Sequence, residues 1–199
     1  MVNNKLYRKL IGCLLYLTHN RPDIFYVVSV ASRYMDQPHE INWKAAKRIL
    51  NFVQGTRTHG IFYKAKSDLD LIGFTDSDWA GDSTDRKSTS GYVFMLAEGP
   101  ISWSSKKQSA IALSSIEAEY RGVVNAATQC LWLQGLLGEC GFEPKNSTPS
   151  TMITRVPFES AKIQFRSREP DTLRFTCTTS EKLCVMAPFT YSYVHLQNK

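Results

Sequence analysis

Through the first 60 residues the hydrophobic positions recur three and four apart, the spacing of one buried helical face. Leu6, Leu10, Ile11, Leu14 and Leu17 predict a first helix. Pro22 suits the first turn of a second helix that continues with Ile24, Val27, Val28 and Ala31. A third stripe, Trp43, Ala46, Ile49, Leu50 and Val53, runs to Gly55, read as a C-cap. From Gly60 the period drops to two. Ile61 to Tyr63 reads as a short strand, and 64–68 as a polar connector. In Leu69 to Thr75, Ile72 and Phe74, with Asp76 after them, point one way; Leu71, Gly73 and Thr75 point the other. A Gly/Asp/Ser/Thr loop (Asp78 to Ser88) leads to a second strand, Ser90 to Leu96. A turn at Glu98-Gly99 precedes a third, Ile101 to Ser105, which predicts an antiparallel meander. Ser114-Ser115-Ile116-Glu117 fits a capping box, with Ser114 accepting from the Glu117 backbone and the Glu117 side chain reaching back. The helix it opens should run to about Leu137, broken by Gly138 and Gly141, with Glu119, Gly122, Val123 and Ala126 on one face. Beyond a connector from Glu143 to Ser150, Thr151 to Lys199 holds neither period and reads as an irregular tail.

Composition narrows the classes. A chain of 199 residues, 43% hydrophobic and 12% aromatic, can bury the core of one ordinary domain or two small ones, which excludes a disordered tail. The apolar run Ile11 to Leu17 falls far short of the roughly 18 residues of a membrane span and lacks the layout of a secretory signal. Five widely spaced cysteines without a CxxC pair point to reduced thiols in an intracellular setting. The net charge of +6 is uneven, with +7 on residues 1–68, −4 on 69–142 and +3 on 143–199. A basic flank before an acidic centre suits nucleic acid on the flank and metal at the centre. Lys44, Lys47 and Arg48 on the third helix either contact phosphates or form a solvated face.

Two acids stand out. Asp76 ends a strand and Glu119 lies on the sheet-facing side of the last helix, so both are expected in one layer. Carboxylates gathered at such a junction repel and lose hydration unless a cation joins them, and magnesium is the natural hard partner. Asp78, Asp82 and Asp85 crowd the same loop, where turn formation and capping are an equally ordinary use.

A longer series of stretches then carries a resemblance: Leu6-Tyr7-Arg8-Lys9-Leu10-Ile11-Gly12, Arg21-Pro22-Asp23-Ile24, Ala45-Ala46-Lys47-Arg48-Ile49-Leu50, Thr75-Asp76-Ser77-Asp78-Trp79-Ala80-Gly81, Asp85-Arg86-Lys87-Ser88-Thr89-Ser90-Gly91-Tyr92, Ile101-Ser102-Trp103-Ser104-Ser105-Lys106-Lys107-Gln108 and Leu113-Ser114-Ser115-Ile116-Glu117-Ala118-Glu119-Tyr120. In order and spacing they resemble the pol polyprotein of copia-type LTR retrotransposons over roughly residues 5–145. The resemblance implies an α+β chain. Residues 1–63 would be the helical end of the reverse transcriptase or connection region. Residues 64–150 would be a truncated ribonuclease H-like domain, a mixed sheet with a packed helix, and 151–199 the irregular tail. The implied activity is cleavage of RNA in RNA/DNA hybrids, with two magnesium ions clamping the attacking water and the leaving oxygen. By resemblance Asp76 matches the strand-one aspartate that bridges the metals and Glu119 the helix glutamate, while Asp78 and Glu117 are adjacent acids of weaker correspondence. Ser114 and Ser115 would contact RNA near the cut, although capping also accounts for Ser114. Arg86, Lys87 and Ser88 would touch the nucleic-acid backbone, or form a solvated turn. The implied partners are an RNA/DNA hybrid or other nucleic acid and the remainder of the polyprotein.

The resemblance stops near Thr148. The family places its third carboxylate on a fourth strand, in an Asp-Asn-x-Ser-Ala motif, where this chain reads Thr151-Met152-Ile153-Thr154-Arg155-Val156-Pro157. The fourth acid also lacks a counterpart, so loss of activity is expected, leaving a remnant that at most binds nucleic acid. The genetic code suggests a reason. Met152 is ATG and Ile153 begins AT, so the frame starting on that final G opens with GAT, an aspartate codon. The following shifted codons can spell the rest of the motif, and the overlap of Asp171 with Thr172 can encode the family's later His. A shift of reading frame near codon 150 is the resulting expectation.

Overall fold

The computed structural model describes residues 2–65 and 70–142 and, beyond them, the backbone of four strands between 150 and 186. The chain opens with α1 (Asn4–Leu17), α2 (Phe25–Ser32) and α3 (Glu40–Gly55), with a 3-10 turn at Pro22–Ile24 leading into α2. They close on Tyr7, Ile11, Leu14, Ile24, Val28, Ala31, Ala46 and Ile49, all buried. The buried line of α1 is thus Tyr7–Ile11–Leu14, while Leu6 is half exposed. Tyr7 can turn inward because its hydroxyl donates to the Ala31 carbonyl at 2.8 Å. Gly55 is the last residue of α3, not a left-handed cap beyond it. Arg21 ties the corner: it is bidentate to Asp23 at 2.9 and 2.7 Å and also donates to the Thr56 carbonyl at 3.1 Å. Those hydrogen bonds hold the Asp23 carboxyl below its ordinary range.

The meander forms as β1 (Ile72–Ser77), β2 (Thr89–Leu96) and β3 (Gly99–Lys107), antiparallel in sequence order. Ile61 to Tyr63 does not become a strand. It runs irregularly past the β2–β3 turn, where the Tyr63 hydroxyl donates to the Pro100 carbonyl and the Lys64 amide to that of Ala97. In that turn Ala97 and Glu98 both have positive φ, 52° and 63°, as a mirror-image two-residue hairpin demands and neither side chain favours. Replacing them together, Ala97→Asn with Glu98→Gly, should stabilise the protein by about 1 kcal/mol. The exposed Lys64–Glu98 pair given up contributes little. The urea midpoint measures the gain.

α4 (Ser115–Glu139) covers one face of the meander over Leu71, Phe94, Val123, Ala126, Ala127, Cys130 and Leu133. It ends in a Schellman motif: Gly141, at φ +78°, donates to the Gly138 carbonyl and Phe142 to that of Leu137. The helix therefore passes through Gly138, two residues further than its sequence suggests.

The segment without a sequence period supplies β4 (Ser150–Val156), β5 (Glu159–Arg166), β6 (Arg174–Thr178) and β7 (Leu183–Met186). β4 pairs with β1 in parallel, so the sheet is mixed, in the order β3-β2-β1-β4-β5-β6-β7. Pairing of this kind satisfies the backbone groups along the free edge of β1 and needs no alternation of side chains, which is why no period announced it. The α+β class stands; the rest of 151–199 lies outside the described residues. Among the described residues no helix is long and apolar enough to cross a membrane.

Candidate active site

β1 presents two different faces, as its alternation predicts. Gly73, Thr75 and Ser77 face α4 together with their register partners Phe94, Tyr92 and Ser90. The helix comes so near at Gly122 that a Cβ there would stand 2.3 Å from the Ser77 hydroxyl. A polar chain locks the contact. Ser77 Oγ donates to Ser90 Oγ at 2.9 Å, and Gln108 Nε2 donates to Ser90 Oγ at 2.7 Å and to the Ala118 carbonyl at 2.9 Å. The next residue of the helix, Glu119, is buried on this side, 9% exposed. Asp76 shares the other face with Ile72 and Phe74 and is exposed. The contact of Ser77 with α4 and the two-residue period direct Asp76 to the face of β1 away from that contact. Among the described residues no three His, Cys, Asp or Glu side chains gather as a metal site.

The acids of the 78–88 loop fasten the loop itself. Asp78 accepts from the Thr89 amide and returns its own N–H to the Thr89 carbonyl at 3.0 Å. Asp82 takes the Lys107 ammonium, the Thr84 amide at 2.9 Å and Arg33, just past α2, at 3.2 Å; Lys107 also reaches Asp85 at 2.8 Å. The Lys107 hydrogen bond, foremost among these, holds the Asp82 carboxyl far below its ordinary value and lowers Asp85 as well. Ser88 does not reach solvent. It is fully buried, its hydroxyl accepting from the Ala80 amide at 3.1 Å. Arg86 is exposed in a left-handed backbone, φ 56°, and Lys87 is half buried, 4.0 Å from Asp85.

At the start of α4 the exposed Ser114 accepts from the Glu117 amide at 3.1 Å, as the capping box predicts. The Glu117 carboxylate, however, reaches back one residue further, to the Leu113 amide at 2.7 Å, and pairs with Arg121 at 2.6 Å. The Leu113 amide chiefly lowers its pKa. Ser115, the first residue of the helix, is half buried. Gln108, Ser90, Lys107 and Arg33 organise the site without having been singled out as site residues in the sequence, since isolated polar residues at element ends carry no period.

Four carboxyls, Asp23, Asp82, Asp85 and Glu117, are thus held below their ordinary values. A carboxyl lowered on folding adds stability that is complete above its unfolded pKa and is lost as pH falls through its folded one. The urea midpoint should therefore hold between neutrality and about pH 5 and fall below about pH 4. Lys107→Met should make that fall shallower.

Comparison with known proteins gives a consistent picture. The chain is 47% identical over 137 residues to the Retrovirus-related Pol polyprotein from transposon RE2 of Arabidopsis thaliana, covering 69% of this chain and 9% of that protein. It is 40% identical over 140 residues to the Pol polyprotein from transposon TNT 1-94 of Nicotiana tabacum, covering 70% and 10%. It is also 41% identical over 133 residues to the Secreted RxLR effector protein 161 of Plasmopara viticola, covering 66% and 94%. The chain therefore spans about a tenth of the length of the two Pol polyproteins. No family model and no solved structure matches it.

Proposed function

The chain belongs to the copia-type LTR-retrotransposon Pol polyprotein family, and from that membership we propose that residues 64–150 are a ribonuclease H-like region that has lost cleavage and keeps the binding of nucleic acid. One observation carries the reading. β4 is the parallel neighbour of β1, at the point of the sequence where the resemblance calls for a third carboxylate, and its residues Ser150 to Val156 include no Asp or Glu. The acids that remain are Asp76 on β1 and Glu119 on α4.

This donor set does not fit two magnesium ions. Two such ions bring four positive charges and need carboxylates converging from several elements. Asp76 and Glu119 supply only two such groups, so no step is derived through the metal. Binding has better support. Arg86 and Lys106 are exposed near the end of the sheet where α4 begins, and the 1–68 flank carries +7. Cationic side chains release counterions from a phosphate backbone.

Affinity for a labelled RNA/DNA hybrid should fall steeply between about 50 and 200 mM salt. Arg86→Ala combined with Lys106→Ala should reduce the slope by about 2 contacts' worth. Salt-independent binding, or none at 50 mM, would sink the proposal. A displaced frame accounts for the acid-free β4: the bases across codons 152–157 should spell the Asp-Asn-x-Ser-Ala motif one base out of register, and direct sequencing of the locus decides it.

A further inference from the structure

The face of the sheet that carries Asp76 is crossed by the helical unit. Trp103 Nε1 donates to the Thr18 carbonyl at 3.0 Å and Ser29 Oγ to the Ser105 carbonyl at 3.4 Å. Beside these contacts lies a cavity of about 500 Å³, walled by Pro22, Phe25 and Tyr26 on the helical side and by Phe74, Trp103 and Asp76 on the sheet. With Tyr92, five aromatic residues thus share the cavity wall with one carboxylate. Asp76 has no hydrogen-bond or ion-pair partner among the described residues, and its register partner is Gly91, which puts no side chain across its flank.

The chemistry of this wall is selective. Aromatic faces take flat heteroaromatic groups by stacking, largely irrespective of sequence. An ionised carboxylate accepts hydrogen bonds only, so it repels phosphate and asks for an edge with N–H donors. Guanine offers two adjacent donors, its ring N–H and exocyclic amine, which match the two oxygens of one carboxylate. Adenine sets an acceptor beside its amine and leaves one oxygen unmatched. We propose that this cavity is a base pocket selective for guanine, with Asp76 reading the donor edge and Tyr26 and Phe74 among the stacking walls. The site is distinct from phosphate-driven hybrid binding, and a free nucleoside without phosphate probes it separately.

The experiment is a ligand-observed NMR titration of the full chain with guanosine, adenosine and tetramethylammonium. Guanosine should bind about tenfold or more tightly than adenosine, and Asp76→Asn should weaken it by a similar factor. Tyr26 is half exposed, so Tyr26→Ala should keep the fold, checked by circular dichroism, and also weaken guanosine. Equal binding of the two nucleosides, no binding of guanosine, or binding indifferent to both substitutions overturns the proposal. Tetramethylammonium binding more tightly than guanosine overturns it too, since aromatic rings around a carboxylate would then be acting as a cation cage.

Discussion

Phe94→Ala should lower the free energy of unfolding by about 3–5 kcal/mol, a large part of what a domain of this kind possesses. Phe94 is 1% exposed and stands at the centre of the layer between the meander and α4. Its ring lies against Gly73 on one side and meets Tyr92 at a centroid distance of 5.5 Å on the other. No larger neighbour can swing into the space, because Gly73 has no side chain and α4 is held at Gly122 by its contact with Ser77. The cavity therefore persists, and the cost lies toward the upper part of the range for such truncations. Urea unfolding followed by circular dichroism measures it; a loss under about 1 kcal/mol would mean that the layer can collapse around the gap.

Tyr7→Ala should cost a comparable amount, about 3–5 kcal/mol, in the other core. Tyr7 is fully buried among α1, α2 and α3 and satisfies the Ala31 carbonyl. Removing it opens a void and takes the side-chain donor from that carbonyl, which keeps the Tyr34 amide at 3.3 Å. Tyr7→Phe separates the two losses, since it keeps the ring and should cost only about 1–3 kcal/mol. The two cores share no residue. They communicate through a few polar links, among them Trp103 to Thr18 and Arg33 to Asp82. The double variant Tyr7→Ala with Phe94→Ala should therefore be close to additive, within about 0.5 kcal/mol.

Periodicity made the elements legible and left their partners hidden. The alternation in β1 divided its residues between two faces, and the start of α4 was visible in Ser114 and Glu117. Of the inward residues of α1, Ile11 and Leu14 lie in the predicted stripe and Tyr7 does not, because a tyrosine hydroxyl needs a specific acceptor, and the Ala31 carbonyl that supplies it lies 24 residues away. Ser88 looked like part of a polar surface turn. Only the fold shows that its hydroxyl closes on the Ala80 amide inside the protein. Facing directions can be read along one strand or one helix, but which strand face the helix covers depends on the close approach at Gly122. The tail shows the converse, since β4 pairs through backbone groups common to every non-proline residue. Its sequence could say which acid is missing and could not say that a strand would stand in the vacated place.

The central claim is that a ribonuclease H-like scaffold persists here without the carboxylates its chemistry needs. Its most direct test is to incubate the purified chain and its Asp76→Asn variant with a labelled RNA/DNA hybrid and magnesium, and to resolve the RNA strand by length. The account predicts intact RNA with both proteins, alongside binding that weakens as salt is raised. RNA cut by the wild-type chain and left whole by Asp76→Asn would contradict it.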